Sequence, residues 1–218
     1  MPASITIPIS IFEMTVLYAK PEIRLLADRM GAVQELFTAF APWNPRVDDM
    51  EVLTAGKPSE QGIKIKIPNQ NASFFFGPTS CTLTKDPVRW SEAARIFDLL
   101  DVSLKALSQA AGVTYGRRTS VLSLHLQPTT ISFREILRKF MVNDILALDA
   151  KLPKAMAIVA RWESRRITLD GSAQLANGIF LQTEREFDDL TSFEDLIHIT
   201  FQDEQELFKL LDVQEVDA

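Results

Sequence analysis

Ile5, Ile7, Ile9 and Ile11 alternate with Ser4, Thr6, Pro8 and Ser10. Side chains of an extended chain point to alternate faces, so this period of two dictates a strand with one buried face. After Ile11 the apolar set moves to Phe12, Met14, Val16 and Tyr18. A shift of one residue inside a continuing strand implies a bulge or a bend. Pro8 has no N–H to give to a ladder, which puts the strand at a sheet edge or starts it late. No stretch approaches the roughly 18 to 20 apolar residues of a membrane helix.

The rest of the chain alternates between the two periods. Pro21 opens a helix at a first-turn position, and Ile23, Leu26, Met30, Val33, Phe37 and Ala41 continue it until Pro42, Trp43 and Pro45. Short strands are expected at Met50–Thr54, around Ile63, Ile65 and Ile67, at Phe74–Phe76 and at Cys81–Thr84, with a turn at Asn69-Gln70-Asn71. Their links are too short for crossover helices, so they form an antiparallel meander. Asp86-Pro87 starts a long helix carrying Trp90, Ala94, Phe97, Leu100, Leu104, Leu107 and Ala111, closed by Gly112. Val113–Gln127 is a strand with Leu122, Leu124 and Leu126 on one side. Ser132 and Glu135 are spaced as a capping box, with Ile131 and Ile136 at the staple positions. The helix they open carries Phe133, Leu137, Phe140, Met141, Ile145 and Leu148. After Pro153, residues 154–169 and 172–184 read as a hairpin on the Asp170-Gly171 turn. Residues 196–201 suit a strand or a helix begun at Ser192, and Asp203–Leu211 is a helix.

The fold class is therefore α+β, an antiparallel sheet with helices packed mainly on one face, in a single domain over 1–218. The order strand, helix, short strands, helix occurs over 1–111 and again over 112–218, which suggests two similar halves. Apolar residues at 46% exclude a disordered chain, and the single cysteine, Cys81, excludes a disulfide framework. Cys81 in a strand is a small buried hydrophobe, and fits a reducing, cytoplasmic compartment.

Gly112-Val113-Thr114-Tyr115-Gly116-Arg117-Arg118-Thr119 follows the Trp90 helix. This order resembles a sporadically distributed family of uncharacterised bacterial proteins, in which a tryptophan-bearing helix precedes an R-Y-x-N-R-type strand. Thr114 stands where that family has arginine, and Gly116-Arg117 replace its x-N pair. The resemblance implies an intracellular prokaryotic protein and brings no catalytic residues with it.

Charge is unevenly spread. Residues 183–218 hold twelve acids against Arg185 and Lys209, a net −10, so the other 182 residues of this −6 chain carry +4. The acidic segment suits docking on a basic surface. Glu184, Glu186 and Asp188 share a side if extended, a pattern that suits either a solvated edge or a divalent ion. Arg117-Arg118 and Arg165-Arg166 are the basic counterpart, candidates with Arg134, Arg138 and Lys139 for an anion-binding patch. His125 and His198 have no metal-ligand spacing, and no glycine loop for phosphate is present, so no metal and no cofactor are expected. His125 reads as a solvated or satisfied strand residue. The net acidity disfavours nucleic acid. The leading reading is a non-catalytic interaction or assembly protein with a protein partner or self-association and no membrane. The alternative is a ligand-binding protein or enzyme holding a small anionic ligand through those four arginines.

Overall fold

The alternation near the start becomes one long strand. In the computed structural model, which describes residues 2–89, 91, 93–132, 135–136 and 157–216, β1 runs from Ala3 to Tyr18. Its buried positions are Ala3 and Ile5, then Ser10, Phe12, Met14, Val16 and Tyr18. The expected one-residue shift is there, but it falls around Pro8 rather than after Ile11, which is what an extra residue in the strand produces.

The other strands are β2 (Met50–Leu53), β3 (Gly62–Ile67), β4 (Ala72–Phe76), β5 (Ser80–Lys85), β6 (Tyr115–Pro128), β7 (Ile158–Arg161), β8 (Arg165–Gly171), β9 (Ile179–Phe187) and β10 (Val213–Glu215). Among the described residues the α-helices are α1 (Arg24–Ala27), α2 (Arg29–Ala39), α3 (Ala93–Ala111) and α4 (Phe193–Leu211), and residues 135–136 are also helical. The class is α+β. Strands hydrogen-bond in the order β2-β3-β4-β5-β1-β6-β9-β8-β7, with β10 added to β1. The meander β2 to β5, the β5–β1 pair and the β7–β8 pair are antiparallel. β10 is parallel to β1. β1 is thus not an edge strand. Pro8 is tolerated because β10 pairs with Ala3–Ile5 and β5 with Phe12–Leu17, so Pro8 lies in neither register.

Two compact units share these strands. One comprises Met1–Ser10, Leu122–Glu184 and Phe201–Ala218, and the other Ile11–Val121 and Arg185–Thr200. Neither coincides with residues 1–111 or 112–218.

In the second unit, register stacks the core in rows. Val16, Cys81, Phe76 and Ile63 form one row, Met14, Leu83, Phe74 and Ile65 the next, and all eight are buried. Phe40, just after α2, lies 5.0 Å from the Phe74 ring and 6.3 Å from Phe76. The third row holds Phe12, Lys85, Ala72 and Ile67, and Lys85 Nζ donates to the Gln70 carbonyl at 2.7 Å. The single helix expected from Pro21 is two, because Asp28 caps α2 by accepting from Gly31 N–H at 3.2 Å. The long helix α3 runs over Ala93–Ala111 rather than starting after Pro87: Asp86 still continues the β4–β5 ladder, its N–H donating to the Asn71 carbonyl at 2.9 Å, and residues 88–89 are not helical. Trp90 lies outside the described residues. Gly112 ends α3 at a φ of 65°, as its place in the sequence implied. α3 packs on α2 and buries Ile96, Leu99, Leu100, Leu104 and Leu107. The Tyr115 hydroxyl donates to the Leu104 carbonyl.

In the first unit, Leu122, Leu124 and Leu126 are buried along β6. The capping box forms as spaced: Ser132 N–H donates to Glu135 Oε2 at 2.7 Å, and Glu135 N–H to Ser132 Oγ at 3.3 Å. Ile136 is buried. Phe133, Arg134 and residues 137–156, with Leu137, Arg138, Lys139, Phe140, Met141, Ile145, Leu148 and Pro153 among them, lie outside the described residues. The hairpin differs from expectation. It closes within the first segment, where Trp162 N–H donates to the Arg165 carbonyl at 2.7 Å. Asp170-Gly171 instead leads into a wider turn before β9, because the Ser172 hydroxyl accepts two backbone N–H groups there. Residues 196–201 are helical, in the helix capped by Ser192, whose Oγ accepts from Asp195 N–H at 3.0 Å.

Candidate functional site

Consecutive residues of a strand point to opposite faces, so each arginine pair is divided by its own backbone. In the unit containing Ile11–Val121, Arg118 is buried and Arg117 is exposed. The Arg118 guanidinium donates to the Thr191 carbonyl and, at 3.3 Å, to the Asp189 carbonyl. It also lies 4.3 Å over the ring of Phe193. Those groups belong to the turn that leads into α4. Asp188 organises the same turn, its Oδ1 accepting from Leu190 N–H at 3.1 Å, Thr191 N–H at 2.9 Å and Thr191 Oγ1 at 2.8 Å. The Thr191 hydroxyl and backbone bonds hold the Asp188 carboxyl below its ordinary pKa. Burial lowers the pKa of Arg118, and the charges of Asp189 and Asp188 oppose that shift. Arg117 faces Glu186 of β9 at 3.5 Å.

The other pair repeats the division in the other unit. Arg165 reaches α4, with Nη2 3.2 Å from Asp203 and Nη1 3.3 Å from Glu206. Asp203 is buried. Trp162 flanks the guanidinium at 5.9 Å. Arg166 faces Glu184 of β9 at 2.8 Å. Arg118 and Arg165 each keep a buried Nε with no hydrogen-bond partner.

Arg117 and Arg118 share one stretch of β6 and Arg165 and Arg166 one stretch of β8, and each pair meets groups of the acidic segment 183–218. The basic pairs and the acidic segment are thus partners within the chain. An incoming anion has to compete with Glu186 at Arg117 and with Glu184 at Arg166. Glu184, Glu186 and Asp188, the pattern with ion-binding spacing, are engaged with Arg166, Arg117 and the Asp188 turn. Among the described residues, no three or more His, Cys, Asp or Glu side chains are placed to hold a metal ion.

Burial pushes the Cys81 thiol well above its ordinary pKa, so it is held as the unreactive thiol. One polar cluster has no signal in residue spacing. His125 Nδ1 lies 2.8 Å from Ser172 Oγ and its ring 5.1 Å from Phe180, while Gln182 Nε2 donates to Ser123 Oγ at 3.1 Å. The sequence hint was a serine just after Asp170-Gly171, a position where its hydroxyl can cap a turn. No helix among the described residues is long and apolar enough to cross a membrane. No family model matches the chain, and no curated protein matches it.

Proposed function

We propose that this chain is a non-catalytic interaction or assembly protein of the cytoplasm, which associates with a protein partner or with itself. The observation that carries the reading is the engagement of all four candidate arginines by groups of the same chain. Arg118 and Arg165 hold α4 and the turn before it, a scaffolding use of charge rather than an open anion site. The inert, buried Cys81 and the satisfied His125 supply no activated nucleophile.

Light scattering and sedimentation of the full chain at several salt concentrations test the proposal, together with capture of purified partners. The reading expects a stable complex whose affinity changes with salt. A strict monomer that captures nothing overturns it. The arginine-lined alternative predicts that inorganic phosphate or a dicarboxylate shifts the Arg117 and Arg166 side-chain resonances saturably, and Arg117→Ala with Arg166→Ala then abolishes binding.

A further inference from the structure

The turn between β8 and β9 is closed by a single serine. Ser172 Oγ accepts from Gln174 N–H at 3.1 Å and from Leu175 N–H at 3.0 Å. The Ser172 N–H donates to the Gly178 carbonyl at 2.9 Å, and Gly178 N–H to the Leu175 carbonyl at 3.1 Å. Gly178 is needed for this closure, since a Cβ there would sit 2.5 Å from Leu175 Cβ and 3.2 Å from the Leu126 carbonyl. A hydroxyl has two lone pairs and one proton. Both lone pairs of Ser172 are taken by the turn, so its proton goes to His125 Nδ1, 2.8 Å away. An imidazole that accepts this proton is neutral, with its hydrogen on Nε2. An imidazolium carries hydrogens on both nitrogens and accepts nothing. A protonated His125 therefore requires a lone pair from Ser172, and one of the two backbone N–H groups loses its acceptor.

We propose that His125 is an acid-sensitive latch: neutral, it closes the turn of residues 172–178 through Ser172, and on gaining a proton it releases that turn. Among the described residues of the neighbouring strands, the groups near the ring are uncharged or already hydrogen-bonded or paired. On β6 its same-side neighbours are Ser123 and Gln127. On β9 they are Phe180 and Gln182, and Glu184 further along is paired to Arg166 at 2.8 Å. On β8, Asp170 Oδ1 accepts from Gly171 N–H at 2.6 Å. Residues 3–10 of β1 carry no titratable side chain. Burial lowers the His125 pKa. Folded, the group binds fewer protons than unfolded, so the closed turn is fully stable at neutral pH and is lost as pH falls below the ordinary histidine value of about 6.5.

The test is an NMR titration of the full chain from neutral into acid, reading the His125 ring nitrogens and the amides of Gln174 and Leu175. At neutral pH the ring should carry its hydrogen on Nε2. The two amides should shift with the midpoint of the ring, and at least one should lose roughly tenfold in exchange protection across it, beyond the intrinsic pH effect, as local opening does. In His125→Gln the two amides should no longer follow pH. In Ser172→Ala the ring midpoint should rise toward the ordinary histidine value. A neutral ring with its hydrogen on Nδ1 overturns the proposal without any variant. So does a ring that titrates while both amides stay unchanged.

Discussion

Arg118 on β6 and Arg165 on β8 both carry a guanidinium out of water, and they are satisfied in opposite ways. Arg165 meets two carboxylates on α4, Asp203 at 3.2 Å and Glu206 at 3.3 Å. Arg118 meets two carbonyls and an aromatic ring, with Asp188 and Asp189 acting on it only through their charge. At Arg165 the opposite charge is in contact, so either partner alone is a liability. At Arg118 the planar fork and its stacking matter more than the charge, because carbonyl oxygens and a ring face recognise shape as well as sign.

Substitutions centred on Arg165, Arg118, Ser132 and Arg117 separate these cases, taken from the largest expected effect to the smallest. Arg165→Ala takes the guanidinium away from buried Asp203 and should be the largest loss, about 3 kcal/mol in urea unfolding. The double change Arg165→Met with Asp203→Leu should recover most of that. A double variant as unstable as the single would show that packing, not charge, sets the loss. Arg118→Ala should cost about 2 kcal/mol, and Arg118→Lys nearly as much, since an ammonium cannot reach both carbonyls while lying on Phe193. Full stability in Arg118→Lys would erase the contrast between the two sites. Ser132→Ala removes a neutral cap and should cost about 1 kcal/mol. An unchanged thermal melt there would contradict the reciprocal bonds with Glu135. Arg117→Ala removes an exposed ion pair and should change stability by less than about 0.5 kcal/mol, an effect that vanishes in high salt. A larger or salt-resistant loss would mean that the outward pairs share the character of the inward ones.

What the sequence made legible was local. Period-two alternation located β1, β3 and β6, and side-chain chemistry located the Ser132 capping box and the Gly112 stop. Charge arithmetic found that an acidic segment and a basic body exist, but not that they meet inside one chain. That depends on β8, β9 and α4 coming together from separate stretches. The errors share a cause, a local signal overruled by a bond formed elsewhere. Asp86 resembles a helix cap, yet it continues the β4–β5 ladder, with its N–H on the Asn71 carbonyl, and the chain turns helical only later. Asp170-Gly171 resembles a two-residue hairpin turn, yet Ser172 binds the backbone beyond it and widens the loop. Pro8 argues for an edge strand, and in the sheet it needs only a local lapse in pairing between β10 and β5.

The pairing of β1 with β10 sets Ala3 beside Val213, nearly the full chain apart, with the whole of the other unit written in between. A growing polypeptide releases β1 well before β10. During synthesis Ala3–Ile5 must therefore wait for β10, although β5 and β6 reach the rest of β1 sooner. Such distant pairings close slowly. The exposed apolar edge during that interval is the period in which a holding chaperone would matter most.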